Sequence, residues 1–164
     1  MILVTVGTEQ FPFNRLLLWV ERAIQRGSIT EEVLIQSGAC TVTVQGATQV
    51  KLLQPEEFDS ALNRARLVIS HCGEGTFLKL RTLNKPFLLV ARRHGLGEHI
   101  DDHQCDLANV LCAIGAPVAR MPQDVERFVL TPPIVAQLKL PGASLTDHLL
   151  SVYPPSLECT WATV

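Results

Sequence analysis

The sequence predicts an α/β protein, a parallel β-sheet with helices on both faces, and three observations predict it. Short apolar runs such as ILVTV (Ile2–Val6) and FLLVA (Phe87–Ala91) do not alternate with polar residues, as expected of strands buried on both faces. Between them lie segments with apolar residues at helical spacing. Glycines stand where strands stop and helices restart, as in Leu67–Ser70 followed by Gly73, Gly75 and a helix opening near Thr76.

In chain order, Ile2–Val6 is the first strand, ended by Gly7-Thr8. Phe13–Arg26 places Leu16, Leu17, Val20, Ala23 and Ile24 on one helix face, and Gly27 stops it. Glu32–Gln36, Thr41–Gln45 and Gln49–Leu53 read as short strands. Pro55 and two glutamates open the next helix, whose apolar face is Phe58, Leu62 and Ala65. The helix after the glycine turn ends before Lys85-Pro86, and Phe87–Ala91 is a further buried strand. Arg92 to Gly95 is a polar loop, Glu98–Ile114 the longest helix, Pro117–Ala119 a last short strand, and Gln123–Leu130 a final helix. The proline-rich stretch from Thr131 does not extend the sheet and reads as a partner-docking arm or a loose end, giving a domain over 1–130 and a C-terminal extension over 131–164.

With 164 residues, 47% of them hydrophobic, the chain suits one domain with a full core. Fourteen basic and sixteen acidic residues leave a net charge of −2, so nothing electrostatic favours a nucleic-acid or anionic-membrane partner. Five cysteines without CxxC pairs, and a start lacking a basic leader, point to a reduced, cytoplasmic protein. The nearly apolar run Leu107–Ala119 is shorter than the roughly 20 residues that cross a bilayer, so membrane association would come through a partner or a surface contact.

In open parallel sheets ligands sit beyond the carboxyl ends of the strands, which singles out the loops Gly7–Pro12, Ser70–Thr76 and Arg92–Glu98. A strand ending in glycines before a helix aims free N–H groups and a positive dipole end at one point, an anion site; the alternative is a turn that needs glycine only for its backbone angles. His71, His94, His99 and His103 cluster in sequence, and His99 and His103 are four apart beside Glu98, Asp101 and Asp102. That spacing admits a metal site, polar ligand contacts or a solvated face, and no known zinc motif is present, so no metal is assigned. Cys72 is read as a buried filler rather than a nucleophile, because no His/Asn partner pattern accompanies it. Cys105 and Cys112 read as core positions on one helix face, and Arg92 and Arg93 either neutralise a diphosphate or form an exposed pair.

VTVGT, PFNRL, SHCGEGT, NKPFLLV and GEHIDDHQ, in this order and spacing, resemble the C-terminal domain of glycosyltransferase family 28. More closely, they resemble its single-domain members that form half of a two-chain N-acetylglucosaminyltransferase or exopolysaccharide glycosyltransferase. The resemblance runs from Ile2 to about Leu111. It implies a Rossmann-like fold equivalent to the C-terminal half of a GT-B enzyme, binding a UDP-sugar. It also implies a membrane-anchored partner subunit that binds the lipid-linked sugar acceptor and carries the general base, and no cofactor is called for. Carried over, Gly7 and Thr8 match the first phosphate-facing turn, Gly73, Gly75 and Thr76 the second, and Leu53–Pro55 the segment bordering the uracil. His103 and Gln104 match residues that meet the donor sugar, with Glu98 and Asp102 at the start of the same helix.

One departure stands out. Where the family usually has a glutamate that accepts from the ribose hydroxyls, this chain has Lys79. An ammonium donates only, so Lys79 either reaches a phosphate or marks a weakened site in a non-catalytic subunit.

Overall fold

The structure is a computed structural model that describes residues 1–83 and 85–133. Six parallel strands, β1 (Ile2–Thr5), β2 (Val33–Gln36), β3 (Thr48–Val50), β4 (Leu67–His71), β5 (Phe87–Val90) and β6 (Val118–Ala119), form one sheet in the order β3-β2-β1-β4-β5-β6. Five helices connect or follow them: α1 (Asn14–Gln25), α2 (Pro55–Arg64), α3 (Glu74–Thr82), α4 (His103–Ala113) and α5 (Pro122–Leu130). Parallel neighbours need crossovers, and the order reverses between β1 and β4, which opens a crevice at their carboxyl ends.

Strand residues divide between two cores. Ile2, Val4 and Val6 face α1 and α5 with Leu16, Leu17, Val20 and Phe128, whereas Leu3, Val68 and Leu89 face α2, α3 and α4 with Leu62, Phe77 and Leu111. Both faces are therefore covered, which is why the strand runs do not alternate. Pro55 starts α2 while the Glu57 carboxylate accepts the Gln54 N–H at 2.8 Å. Arg22 pairs with Glu126 at 3.0 Å and joins α1 to α5. Among the described residues no helix is long and apolar enough to cross a membrane.

Two elements differ from the sequence reading. Thr41–Gln45 is not a strand, because side chains take its backbone groups: Asn14 Oδ1 accepts Thr41 N–H at 2.9 Å, Gln49 Oε1 accepts Val44 N–H at 3.2 Å and Glu21 Oε1 accepts Gln45 N–H at 3.1 Å. The helix expected over Glu98–Ile114 begins only at His103. Before it come a 3₁₀ turn at His94–Leu96 and Gly97 at φ +67°. Asp102 Oδ1 then accepts the His94 N–H at 3.0 Å and Asp101 Oδ1 the His103 N–H at 3.1 Å, so both aspartates hold a loop closed. Cys112 is exposed and Cys105 half-buried, so the two are not a shared core face. Of the C-terminal extension, residues 134–164 lie outside the described residues.

Arg92 overturns both of its sequence readings. It is fully buried, and its guanidinium donates to Val6 O at 2.6 Å, Phe11 O at 2.7 Å and Glu98 O at 2.8 Å, stacked on the Phe13 ring at 4.8 Å. Its charge is spent on carbonyls behind the crevice and is turned away from any ligand there. Arg15 closes the same network, donating to both Glu98 carboxylate oxygens at 2.9 and 2.7 Å and to Ala91 O at 2.7 Å. Replacing Arg92 by methionine leaves three carbonyls unpaired and is expected to cost about 3 kcal/mol or more. Arg93→Met, at an exposed position, should stay within about 0.5 kcal/mol of the natural chain. Urea denaturation of the two variants checks this, and equal stabilities would show that the Arg92 network holds nothing.

Candidate functional site

A cavity of about 840 Å³ lies at the carboxyl ends of β1 and β4, in the crevice where the strand order reverses. Its two walls differ in chemistry. Leu53, Pro55 and Phe58 give it an apolar side, while the turns at Gly7-Thr8 and Gly73–Thr76 form the other. The first intrahelical bond of α3 runs from Phe77 N to Gly73 O at 2.9 Å, so the N–H groups of Glu74, Gly75 and Thr76 have no intrahelical acceptor. They stand at the positive end of the helix dipole, an arrangement that holds anionic oxygens.

Between the two turns sits His71, the last residue of β4 and only 7% exposed. Its ring explains two of the glycines. A Cβ on Gly73 would fall 2.2 Å from His71 Cε1, and one on Gly7, whose φ is +78°, would fall 2.6 Å from His71 Nε2. Gly75 is different, since a Cβ there meets nothing within 4 Å and the fold itself does not require glycine. Burial pushes the His71 pKa down to about 4, reinforced by the nearby Arg92 charge, so the ring is neutral at physiological pH. Its Nε2 lies 3.2 Å from Thr76 Oγ1 and its Nδ1 3.4 Å from Gln104 Nε2.

Of the residues singled out from sequence, Gly7, Thr8, Gly73, Gly75, Thr76, His103 and Gln104 line the cavity, as do Leu53 and Pro55. Glu98 and Asp102 do not. The Glu98 carboxylate is buried in its pair with Arg15 and accepts the Arg93 N–H at 3.0 Å, and Asp102 turns back to the His94 N–H. Gln104 is itself buried, with its amide oxygen accepting the Arg92 N–H at 3.3 Å. His99 precedes α4 rather than sharing a helix face with His103, and both rings turn to Asp101, at 2.9 and 3.4 Å. The His103 N–H, with the His99 ring, holds the Asp101 carboxyl below its usual range. Among the described residues no three His, Cys, Asp or Glu side chains are grouped to hold a metal ion. Cys72 is fully buried and burial pushes its thiol up to about 12, which makes it the inert filler expected.

Gln36, Phe58 and Leu107 are in the cavity wall without a site assignment from sequence, and Glu9, His71 and Glu74 join them from the loops Gly7–Pro12 and Ser70–Thr76, where the sequence reading gives them no individual role. His71 carried a further signal: a large polar residue closing a fully buried strand beside a glycine turn. Lys79 also lines the cavity, its ammonium paired with Asp59 and 5.4 Å from the centre of the Phe58 ring. Gly73→Ala is expected to cost about 1–3 kcal/mol through its clash with His71. Gly75→Ala, early in α3, should hold or gain up to about 1 kcal/mol, yet fill space beside the free N–H groups and weaken ligand binding. Denaturation midpoints and ligand titrations of both variants read this, and a stability loss at Gly75 as large as at Gly73 would contradict it.

A family model for the glycosyltransferase family 28 C-terminal domain matches residues 1–131. Among solved structures the chain is similar to the crystal structure of MurG from Acinetobacter baumannii, with 20% sequence identity and a TM-score of 0.53 over 79% of this chain. The chain spans 40% of that neighbour's length, and the likeness is one of fold. No curated protein matches the sequence.

Proposed function

Because this chain belongs to the family of glycosyltransferase family 28 C-terminal domains, we propose that it is the donor-binding half of a glycosyltransferase, moving a hexose or N-acetylhexosamine from a UDP-sugar to a lipid-linked acceptor. The observation that carries this reading is the cavity at the β1/β4 reversal, with an apolar wall for a base and free N–H groups of α3 for a diphosphate. In an inverting transfer the acceptor oxygen attacks the anomeric carbon, the bond to the β-phosphate oxygen breaks, and UDP leaves with that electron pair. The chain's part is to place the donor and to stabilise charge on the leaving diphosphate. The α3 N–H groups do so from a fixed scaffold, and the Lys79 ammonium adds the cavity's one permanent positive charge among the described residues. The base that takes the acceptor's proton belongs, on this reading, to a membrane-anchored partner subunit, which also brings the lipid-linked acceptor to the donor. The chain then works at the cytoplasmic face of a membrane and is inactive alone.

A second reading is a non-catalytic subunit with a weakened nucleotide site. It is favoured by Lys79, whose ammonium is already partnered by Asp59, and by two carboxylates, Glu9 and Glu74, in the wall that faces the diphosphate. Calorimetric titration with UDP separates the two. The natural chain is expected to bind UDP saturably, and Lys79→Glu to weaken it about tenfold by trading a cation for an anion. Binding that appears only in the Lys79→Glu variant would contradict the transferase reading and support the non-catalytic one.

A further inference from the structure

The hydrogen-bonding sense of one side chain at the mouth of α3 is fixed from behind, starting at a donor that has no alternative. The backbone N–H of Arg92 meets Gln104 Oε1 at 3.3 Å. The other terminal atom of that amide, Nε2, can only donate, and it faces His71 Nδ1 at 3.4 Å. Nδ1 therefore accepts, and the neutral ring carries its hydrogen on Nε2. Nε2–H then donates to Thr76 Oγ1 at 3.2 Å. Having accepted, the Thr76 hydroxyl is left with its own hydrogen to give away. Among the described residues Thr76 makes no other side-chain hydrogen bond, and it lines the cavity.

Reversing the Gln104 amide would set its NH2 against the Arg92 N–H, two donors face to face in a buried place. Protonating His71 would set an Nδ1–H against the Gln104 NH2, two donors face to face.

We propose that Gln104 and His71 are positioning residues that hold the Thr76 hydroxyl as an obligatory donor into the cavity, so that this end of the site selects a phosphoryl group over a hydroxyl-bearing one. With the N–H groups of Glu74, Gly75 and Thr76 beside it, the mouth of α3 presents a cluster of donors. Phosphoryl oxygens accept from all of them, whereas a sugar hydroxyl that accepted there would leave its own proton facing donors. The identity of the ligand rests on the nucleotide reading above; the direction of the hydrogen-bond chain does not.

Long-range proton–nitrogen spectra of the natural chain with labelled histidine report which ring nitrogen of His71 carries hydrogen, and calorimetry reports affinity for UDP, inorganic pyrophosphate and uridine. At neutral pH His71 is expected to be protonated on Nε2 alone. Gln104→Leu should mix the tautomers and weaken UDP and pyrophosphate about tenfold while leaving uridine unchanged. Thr76→Val should reproduce that selective loss and Thr76→Ser restore binding, a pair that decides the matter if Gln104→Leu fails to fold. Hydrogen on Nδ1, equal losses for uridine and UDP, or full UDP affinity in Thr76→Val would each overturn the proposal. Pyrophosphate binding without uridine binding would overturn the nucleotide reading while supporting the donor assignment, and no binding of any of the three would overturn both.

Discussion

The buried guanidinium of Arg92 is the constraint on which the crevice depends. Three carbonyls from two loops converge on it: Val6 and Phe11 in the loop after β1, and Glu98 in the loop after β5. Arg15 locks the same loop from α1 through the Glu98 carboxylate. A parallel sheet leaves the carboxyl-end loops as separate excursions, and short carbonyl contacts to one planar cation tie two of them together. Burial pulls the Arg92 pKa below its ordinary value, yet a guanidinium remains charged at physiological pH, so the tie is permanent. The backbone N–H of the same residue starts the chain through Gln104 and His71 to Thr76, which links the loop tie to the polarity of the cavity wall.

The cavity is electrostatically mixed, and that shapes what enters it. Helix-end N–H groups and Lys79 favour an anion, while Glu9 and Glu74 oppose one. Backbone donors act at hydrogen-bond range and are fixed by the fold, whereas the carboxylates lie on exposed residues where solvent screens them. On the proposed reading, a diphosphate seated against the α3 terminus gains from the fixed donors more than the screened carboxylates take away. A base on the Leu53 and Phe58 side adds apolar contact without further charge.

Much of this architecture was legible in the sequence, because parallel strands buried on both faces leave unbroken apolar runs and their loops end in glycine. The parallel sheet and the cavity turns at Gly7, Gly73 and Thr76 follow from those signals, whereas the strand order does not. What misled was local pattern overruled by distant partners. Thr41–Gln45 alternates like a strand, yet Asn14, Glu21 and Gln49 take its N–H groups. Glu98 resembles a helix start, yet an arginine 83 positions away claims it. Arg92 sits in a run that reads as a polar loop, and no spacing rule announces that one of two adjacent arginines is fully buried and the other exposed. The three cavity glycines also differ in a way no sequence pattern shows: Gly7 and Gly73 answer to the His71 ring, whereas an added Cβ on Gly75 meets open space.

A crystal structure of the chain with UDP bound tests the central claim, that the crevice tied by Arg92 is a nucleotide site, most directly. The diphosphate is expected within hydrogen-bonding reach of the Glu74, Gly75 and Thr76 N–H groups, with the base against Leu53 and Phe58 and the Arg92 guanidinium still on its three carbonyls. A nucleotide seated outside this crevice, or an Arg92 side chain swung out to meet the phosphates, would contradict it.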